Sequence, residues 1–226
     1  MKRMAVVLAL AAAAIAAAPA GATNECRGLQ VCVPVVGPWV LTAGTTEVRY
    51  QLSCPRRFVV AGLDAELSDR RIDIGFVGGM GSPVNPGITT SQAAIFLGRY
   101  VGRRNGAPSF RPHIGCVPAS GGGQRVPTAY HVFPPGKPTN VQVRELPVLP
   151  GTTGRFVERC PVRQQLAGAT HALAFYTDGP PTAALAHSVT VTQTIRNGGV
   201  HVTVHGAPEL SVRAVVQLDL VCVAGA

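Results

Sequence analysis

The chain predicts an all-β fold made of two tandem, pseudo-repeated, disulfide-stapled β-sandwich units, and three observations carry that prediction. Cys54-Pro55 and Cys116-Val117 frame one stretch, and Cys160-Pro161 and Cys222-Val223 frame another of equal length (116 − 54 and 222 − 160 both give 62). Gly and Pro, 26 and 19 in number, punctuate short runs rich in Val, Ile and Thr, the pattern of strands between turns. Beyond the N-terminal leader, no window holds a helical apolar period for three turns without a Gly or Pro.

The repeat extends past the cysteines. A shift of 106 positions (160 − 54) also superposes Arg49 on Arg155, Arg57 on Arg163, Ala61-Gly62 on Ala167-Gly168 and Leu67 on Leu173, the mark of an internal duplication. Alternation and β-branched content place strands in the first unit at 31–36, 47–53, 58–67, 72–77, 93–100 and 110–117. In the second unit they fall at 140–146, 155–160, 169–176, 188–195, 200–205 and 212–223. About six strands per unit is the size of a small sandwich.

One hairpin can be registered from its turn. Asn197-Gly198 is a type I′ dipeptide between two alternating runs. A two-residue turn there pairs Ile195 with Val200, Gln193 with Val202 and Val191 with Val204 on the core face. Thr194 then faces His201, Thr192 faces Thr203 and Thr190 faces His205 on the polar face.

Residues 1–22 read as a secretory signal peptide, with Lys2 and Arg3 ahead of an Ala-rich apolar run and small-residue cleavage sites near Ala20 and Ala22. That run is shorter than the roughly 20 residues of a membrane-spanning helix. The first unit then occupies 23–120 and the second 140–226. The stretch 121–139, with Gly121-Gly-Gly123 and Pro134-Pro-Gly-Lys-Pro138, forms an extended linker between them. Export to a secreted, periplasmic or cell-envelope location permits disulfides. Equivalent cysteines in two copies should pair equivalently, so Cys54–Cys116 and Cys160–Cys222 are expected, and Cys26–Cys32 by elimination. The Cys26-x5-Cys32 spacing is too loose for a zinc pair. No metal or other cofactor is expected.

The pattern Cys54-Pro55…Gly62…Cys116, repeated as Cys160-Pro161…Gly168…Cys222, resembles a duplicated β-module of uncharacterised exported bacterial proteins. The resemblance implies no chemistry that can be carried over.

The formal charge is +9, or +7 without Lys2 and Arg3, and nearly all of it is arginine. The densest patch along the chain is Arg99, Arg103, Arg104 and Arg111, with Tyr100 and Phe110 between them. These four are the candidate binding residues, for an anionic envelope polymer such as a glycan, or for lipid headgroups, attracted by charge. A solvated basic face is the plainer account of the same residues. Nucleic acid is not an expected partner of an exported protein.

Catalytic signatures are absent from the sequence. No Gly-x-Ser-x-Gly elbow occurs, and six paired cysteines leave no thiol for nucleophilic catalysis. Asp64, Glu66, Asp69 and Asp73 form the one acid cluster. On a strand Asp64 and Glu66 share a face about 6.6 Å apart, suitable for paired-carboxylate chemistry, but Arg70 and Arg71 follow and would hold both ionised. His201 and His205 share a strand face about 13 Å apart, too far for one ion to bridge. A single tryptophan, Trp39, and four tyrosines cannot make a broad sugar-stacking platform. The expectation is therefore a non-catalytic exported β-protein, an envelope-associated binding or structural module that engages an anionic envelope polymer or another protein. The alternatives are an extracellular hydrolase with a site in the first unit, or a secreted inhibitor or toxin-like factor.

Overall fold

Alternating Val, Ile, Leu and Phe, cut by Gly and Pro turns, produce thirteen strands and one short helix in the computed structural model, which describes residues 25–29, 31–42, 46–77, 92–103, 106–119 and 139–224. The first half contributes β1 (Val33–Val36), β2 (Trp39–Leu41), β3 (Val48–Ser53), β4 (Phe58–Leu67), β5 (Ile72–Val77), β6 (Ala93–Tyr100) and β7 (Ser109–Pro118). The second contributes β8 (Thr139–Val148), β9 (Thr153–Arg159), β10 (Gln164–Phe175), α1 (Ala183–His187), β11 (Val189–Arg196), β12 (Gly199–Gly206) and β13 (Ala214–Ala224). All twelve strands expected from sequence are present. β2 was not expected, because a three-residue strand between Pro38 and Thr42 is too short to show alternation. The leader, Arg104 and most of the Gly/Pro-rich linker lie outside the described residues; Thr139 alone of the linker is described, and it opens β8.

Several pairings of the two halves coincide at the offset of 106, though those of β5 with β6 and of β11 with β12 do not. β4 pairs β7 with Val60 opposite Cys116 and Gly62 opposite Gly115, so that Ala61 bulges between them. β10 pairs β13 with Leu166 opposite Cys222 and Gly168 opposite Val221, so that Ala167 bulges (166 − 60 and 222 − 116 both give 106). Likewise Ser53 lies opposite Ala93 in β3–β6, and Arg159 opposite Gly199 in β9–β12. The turns entering β4 and β10 also match. Phe58 N–H donates to the Pro55 carbonyl at 3.1 Å and Gln164 N–H to that of Pro161 at 3.0 Å. Arg57 and Arg163 sit at φ 69° and 70°, a left-handed conformation that costs a non-glycine residue on the order of 1 kcal/mol.

The halves nevertheless share one sheet. β1 and β2 run along one edge of β7 while β4 takes the other; β2 then pairs β10, and β10-β13-β8 completes seven antiparallel strands. Each half adds a three-stranded sheet, β3-β6-β5 in the first and β11-β12-β9 in the second. These two small sheets lie on opposite faces of the long one, as the alternation of β10 and β13 demonstrates. Leu173, Phe175, Val216, Leu218 and Leu220 pack with Val200, Val202 and Val204 of β12. The intervening Ala172, Ala174 and Val215 pack with Tyr50 of β3 and Phe96 of β6. Burying each Val, Leu, Ile or Phe contributes about 1.5–3 kcal/mol, so two cores, one per face, stabilise one body.

The three disulfides are Cys26–Cys32, Cys54–Cys116 and Cys160–Cys222, the last two each spanning 62 residues. Each long bridge ties the turn before a bulged strand to the buried end of its neighbour, where Cys116 and Cys222 are fully covered.

Two expected outcomes follow from the loop lengths. Replacing Cys160 and Cys222 together by Ala should lower stability by about 4 kcal/mol, and replacing Cys26 and Cys32 by about 2 kcal/mol, because the shorter loop restricts the unfolded chain less. Denaturant titrations of the two variants check the order; a larger loss for the short bridge would contradict it.

Candidate functional site: a buried acid–histidine cluster

The bulge at Ala61 sets what the reverse face of β4 and β7 carries. Past it, Leu63 and Ala65 point into the first core, and Gly62, Asp64 and Glu66 point the other way, opposite Gly115, His113 and Arg111. Asp64 and Glu66 thus share a face, as the strand period requires. The basic groups beside them are not Arg70 and Arg71, contrary to expectation. The chain turns away at Ser68, and the Arg71 guanidinium pairs with Asp69 at 2.6 Å and lies over the Tyr100 ring. That pair holds the Asp69 carboxyl well below the usual carboxylate range. Beside Asp64 and Glu66 stand His113 and Arg111, brought there by cross-strand register.

The N-terminal segment covers this face. A Cβ on Gly62 or Gly115 would overlap the carbonyl oxygen of Glu25, so the two glycines form a notch that admits the Glu25 backbone. The Cys26–Cys32 bridge pins the segment there, with Cys32 Sγ beside Gly115. Glu25 and His113 are consequently only 6% and 3% exposed. His113 Nε2 lies 3.3 Å from Glu66 Oε1, and Nδ1 lies 3.8 Å from Glu25 Oε1. Neither ring nitrogen makes a hydrogen bond among the described residues. An imidazole between two carboxylates can balance their charge when protonated, or exchange a proton with Glu66, the more exposed of the two. A substrate reaching the ring would have to displace the stapled segment.

The corresponding face of the second half also buries an ionisable group. Asp219 occupies the position of His113 and lies opposite Thr170; it is 3% exposed and neither carboxylate oxygen has a hydrogen-bond partner among the described residues. Burial pushes its pKa up to about 6, against the opposing pull of the Arg49 charge. Two residues away, at the position of Arg111, the Gln217 amide accepts from Gln51 N–H and donates to the Gln51 carbonyl at 3.0 Å, capping the open edge of β3. β3 therefore covers this face as the N-terminal segment covers the other.

The arginine patch read along the chain is divided in space. Arg99 sits on the outward face of β6 and reaches Asp73 at 3.4 Å. Arg111 projects from the reverse face of β7, where it donates to the carbonyls of Gly37 and Asp178. Since β6 packs against the opposite face of β7, Arg99 and Arg111 lie on different sides of the molecule. Arg103 is exposed, and Arg104 lies outside the described residues. His201 and His205 fall on the outward face of β12 opposite Thr194 and Thr190, in the expected register. Trp39 is buried beside Phe175 and serves packing. No group of three or more His, Cys, Asp or Glu among the described residues could hold a metal ion.

Glu25 and His113 did not emerge from the sequence as site residues. The signal for His113 was incomplete: alternation gives the strands, but the bulge at Ala61 shifts their register by one residue, and without it Asp64 would lie opposite Pro112. Glu25 had none, because its placement depends on the glycine notch. No family model, curated protein or solved structure matches this chain.

Two substitutions probe the face. Gly115→Ala should expel the N-terminal segment and lower stability by about 1–3 kcal/mol, with faster proteolysis ahead of Cys26 as the specific readout. Asp219 has the opposite sign. Its folded-state pKa is raised to about 6 from an unfolded value near 4, so the folded chain holds the proton more tightly and stability falls as pH rises through that window. Asp219→Asn should therefore stabilise the protein at pH 7.5 by on the order of 2 kcal/mol and by little at pH 4, which thermal melts at both values would check.

Proposed function

We propose that the protein is a non-catalytic exported β-protein, a binding or structural module of the cell envelope whose halves are two copies of one unit. The observation that carries this reading is the fate of the acid–histidine cluster. Glu25, His113 and Glu66 bring together acid–base groups, and Glu25 and His113 are buried where the chain's own disulfide-pinned segment lies against β4 and β7, with Glu66 about one-third exposed. A catalytic acid or base must lie within hydrogen-bond reach of a substrate atom, and here His113 is 3% exposed with the Glu25 carboxylate 3.8 Å from its Nδ1. Three disulfides and an N-terminal signal-like segment support residence in an oxidising, extracytoplasmic compartment. No helix among the described residues is long and apolar enough to cross a membrane. The coincident registers at the offset of 106 (166 − 60) support descent of both halves from one module.

The competing reading is a hydrolase using Glu66 and His113, and it is favoured by one observation, the 3.3 Å approach of those two groups. The mature protein should show no turnover on panels of glycan, ester and peptide substrates, and should sediment with the envelope fraction of the producing cell. Turnover that vanishes in Glu66→Gln with an unchanged melting temperature would overturn the non-catalytic reading.

A further inference from the structure

The outward face of the sheet β9-β12-β11 is an acid-free array. Thr190, Thr192 and Thr194 of β11 stand opposite His205, Thr203 and His201 of β12. Those three in turn stand opposite Thr153, Arg155 and Val157 of β9. Arg196 and Arg159 end the array on either side of Gly199. The side chains at these positions are thus hydroxyls, imidazoles, guanidiniums and one valine, with no carboxylate among them. Glu158, the nearest acid on β9, points through to the other face and pairs with Arg144.

Three features mark the face as more than a solvated surface. First, like charges placed across neighbouring strands are destabilising unless a counter-charge is supplied, and Arg159 and Arg196 flank Gly199 with none on the face. Second, the glycine draws one of them in. A Cβ at Gly199 would lie 3.2 Å from Arg159 Cγ and 3.4 Å from its Nε, so the arginine lies across the strand. Arg196 Nη2 meanwhile reaches His201 Nδ1 at 3.4 Å, and His201 Nε2 has no partner among the described residues. Third, the corresponding face of the first half is unlike it: there Arg99 is answered by Asp73.

We propose that this face docks an anionic polysaccharide, seating acidic groups of the polymer between Arg159 and Arg196 and on Arg155, with sugar hydroxyls on the threonine rows. A chain laid over the sheet meets a hydroxyl or a cation every 5 to 7 Å or so, the spacing across and along strands. Carboxylate or sulfate groups suit the planar guanidinium fork, and the net positive charge steers such a polymer inward. A lipid surface fits poorly, since Val157 is the one apolar side chain offered for insertion. Nucleic acid fits poorly too, since the face has no aromatic ring on which to stack a base. The inference rests on the envelope-binding role proposed above and names the surface and partner chemistry for it.

The test uses the mature protein and three probes, polygalacturonate, neutral dextran and phosphatidylglycerol vesicles, with binding followed by calorimetry at low and high salt. Polygalacturonate should bind at low salt and weaken steeply with added salt, and dextran should not bind. The triple variant Arg155→Ala/Arg159→Ala/Arg196→Ala should lose about tenfold or more in affinity with an unchanged melting temperature. Thr192→Glu, which sets a carboxylate in the middle of the array and removes no arginine, should do the same. Arg99→Ala/Arg103→Ala should bind as the wild type does. Polymer binding that follows Arg99 and Arg103 instead would overturn the assigned face and leave the envelope role standing. Vesicle binding through the array without polymer binding would overturn the choice of polysaccharide. Failure to bind any probe, with loss of envelope co-sedimentation, would overturn the binding role itself.

Discussion

Two backbone pairings, Val40 with Ala174 and Trp39 with Phe175, determine how everything else in the molecule is arranged. Each half has a central strand flanked by two others, and so has open edges that would otherwise expose unpaired N–H and C=O groups. Joining β2 to β10 pairs one edge from each half. Because the join is antiparallel and pairs residues that share a face, the core side of the first half comes to lie opposite the core side of the second. Each small sheet then has its own face of the long sheet. The first one also reaches across the boundary to cover Ala172, Ala174 and Val215, so the two cores are linked through one layer of strands.

That geometry creates a secondary problem, and the two halves meet it differently. The reverse side of a central strand, exposed in an isolated unit, is covered in this fold. Beneath the N-terminal segment, His113 is set between the buried Glu25 and the part-exposed Glu66, so one acid and the base are buried together. Beneath β3, Asp219 is buried near Arg49 without a hydrogen bond, and its raised pKa records the cost of that burial. Gln217 does the opposite: its amide satisfies a strand edge that would otherwise be buried unpaired. The polar groups with the most unusual surroundings therefore belong to the joining of the halves and the anchoring of the N-terminus.

The legibility of these features in sequence follows their range. The hairpin across Asn197-Gly198 was readable to the residue, because a type I′ turn of two residues specifies every pair that follows, including Thr192 with Thr203 and Ile195 with Val200. The strand 58–67 was readable because alternation persists through it apart from the Ala61 bulge. β2 was not, since three residues carry no period. The arginine patch shows the same limit from the other side. Arg99 and Arg111 are near in sequence, but the chain crosses from the small sheet to the long one between them, and proximity along the chain ceased to mean proximity in space. Arg155, Arg159 and Arg196 are far apart in sequence and come to one face through β12, which pairs with both of their strands.

By itself the sequence determined the all-β class, the three disulfides and the positions of twelve strands. Those features rest on period-two alternation, on turn chemistry and on equal cysteine intervals, all of which are local or self-referential. Only the tertiary structure decided that the halves share one sheet, that their small sheets take opposite faces, and that Glu25 reaches His113. The physical reason is that edge pairing and the docking of a backbone into a glycine notch depend on shapes assembled from distant segments. Gly62 and Gly115 are ordinary strand glycines in the sequence. They become a binding notch for the N-terminal segment only when the bulge at Ala61 has turned Gly62 to the side that Gly115 faces.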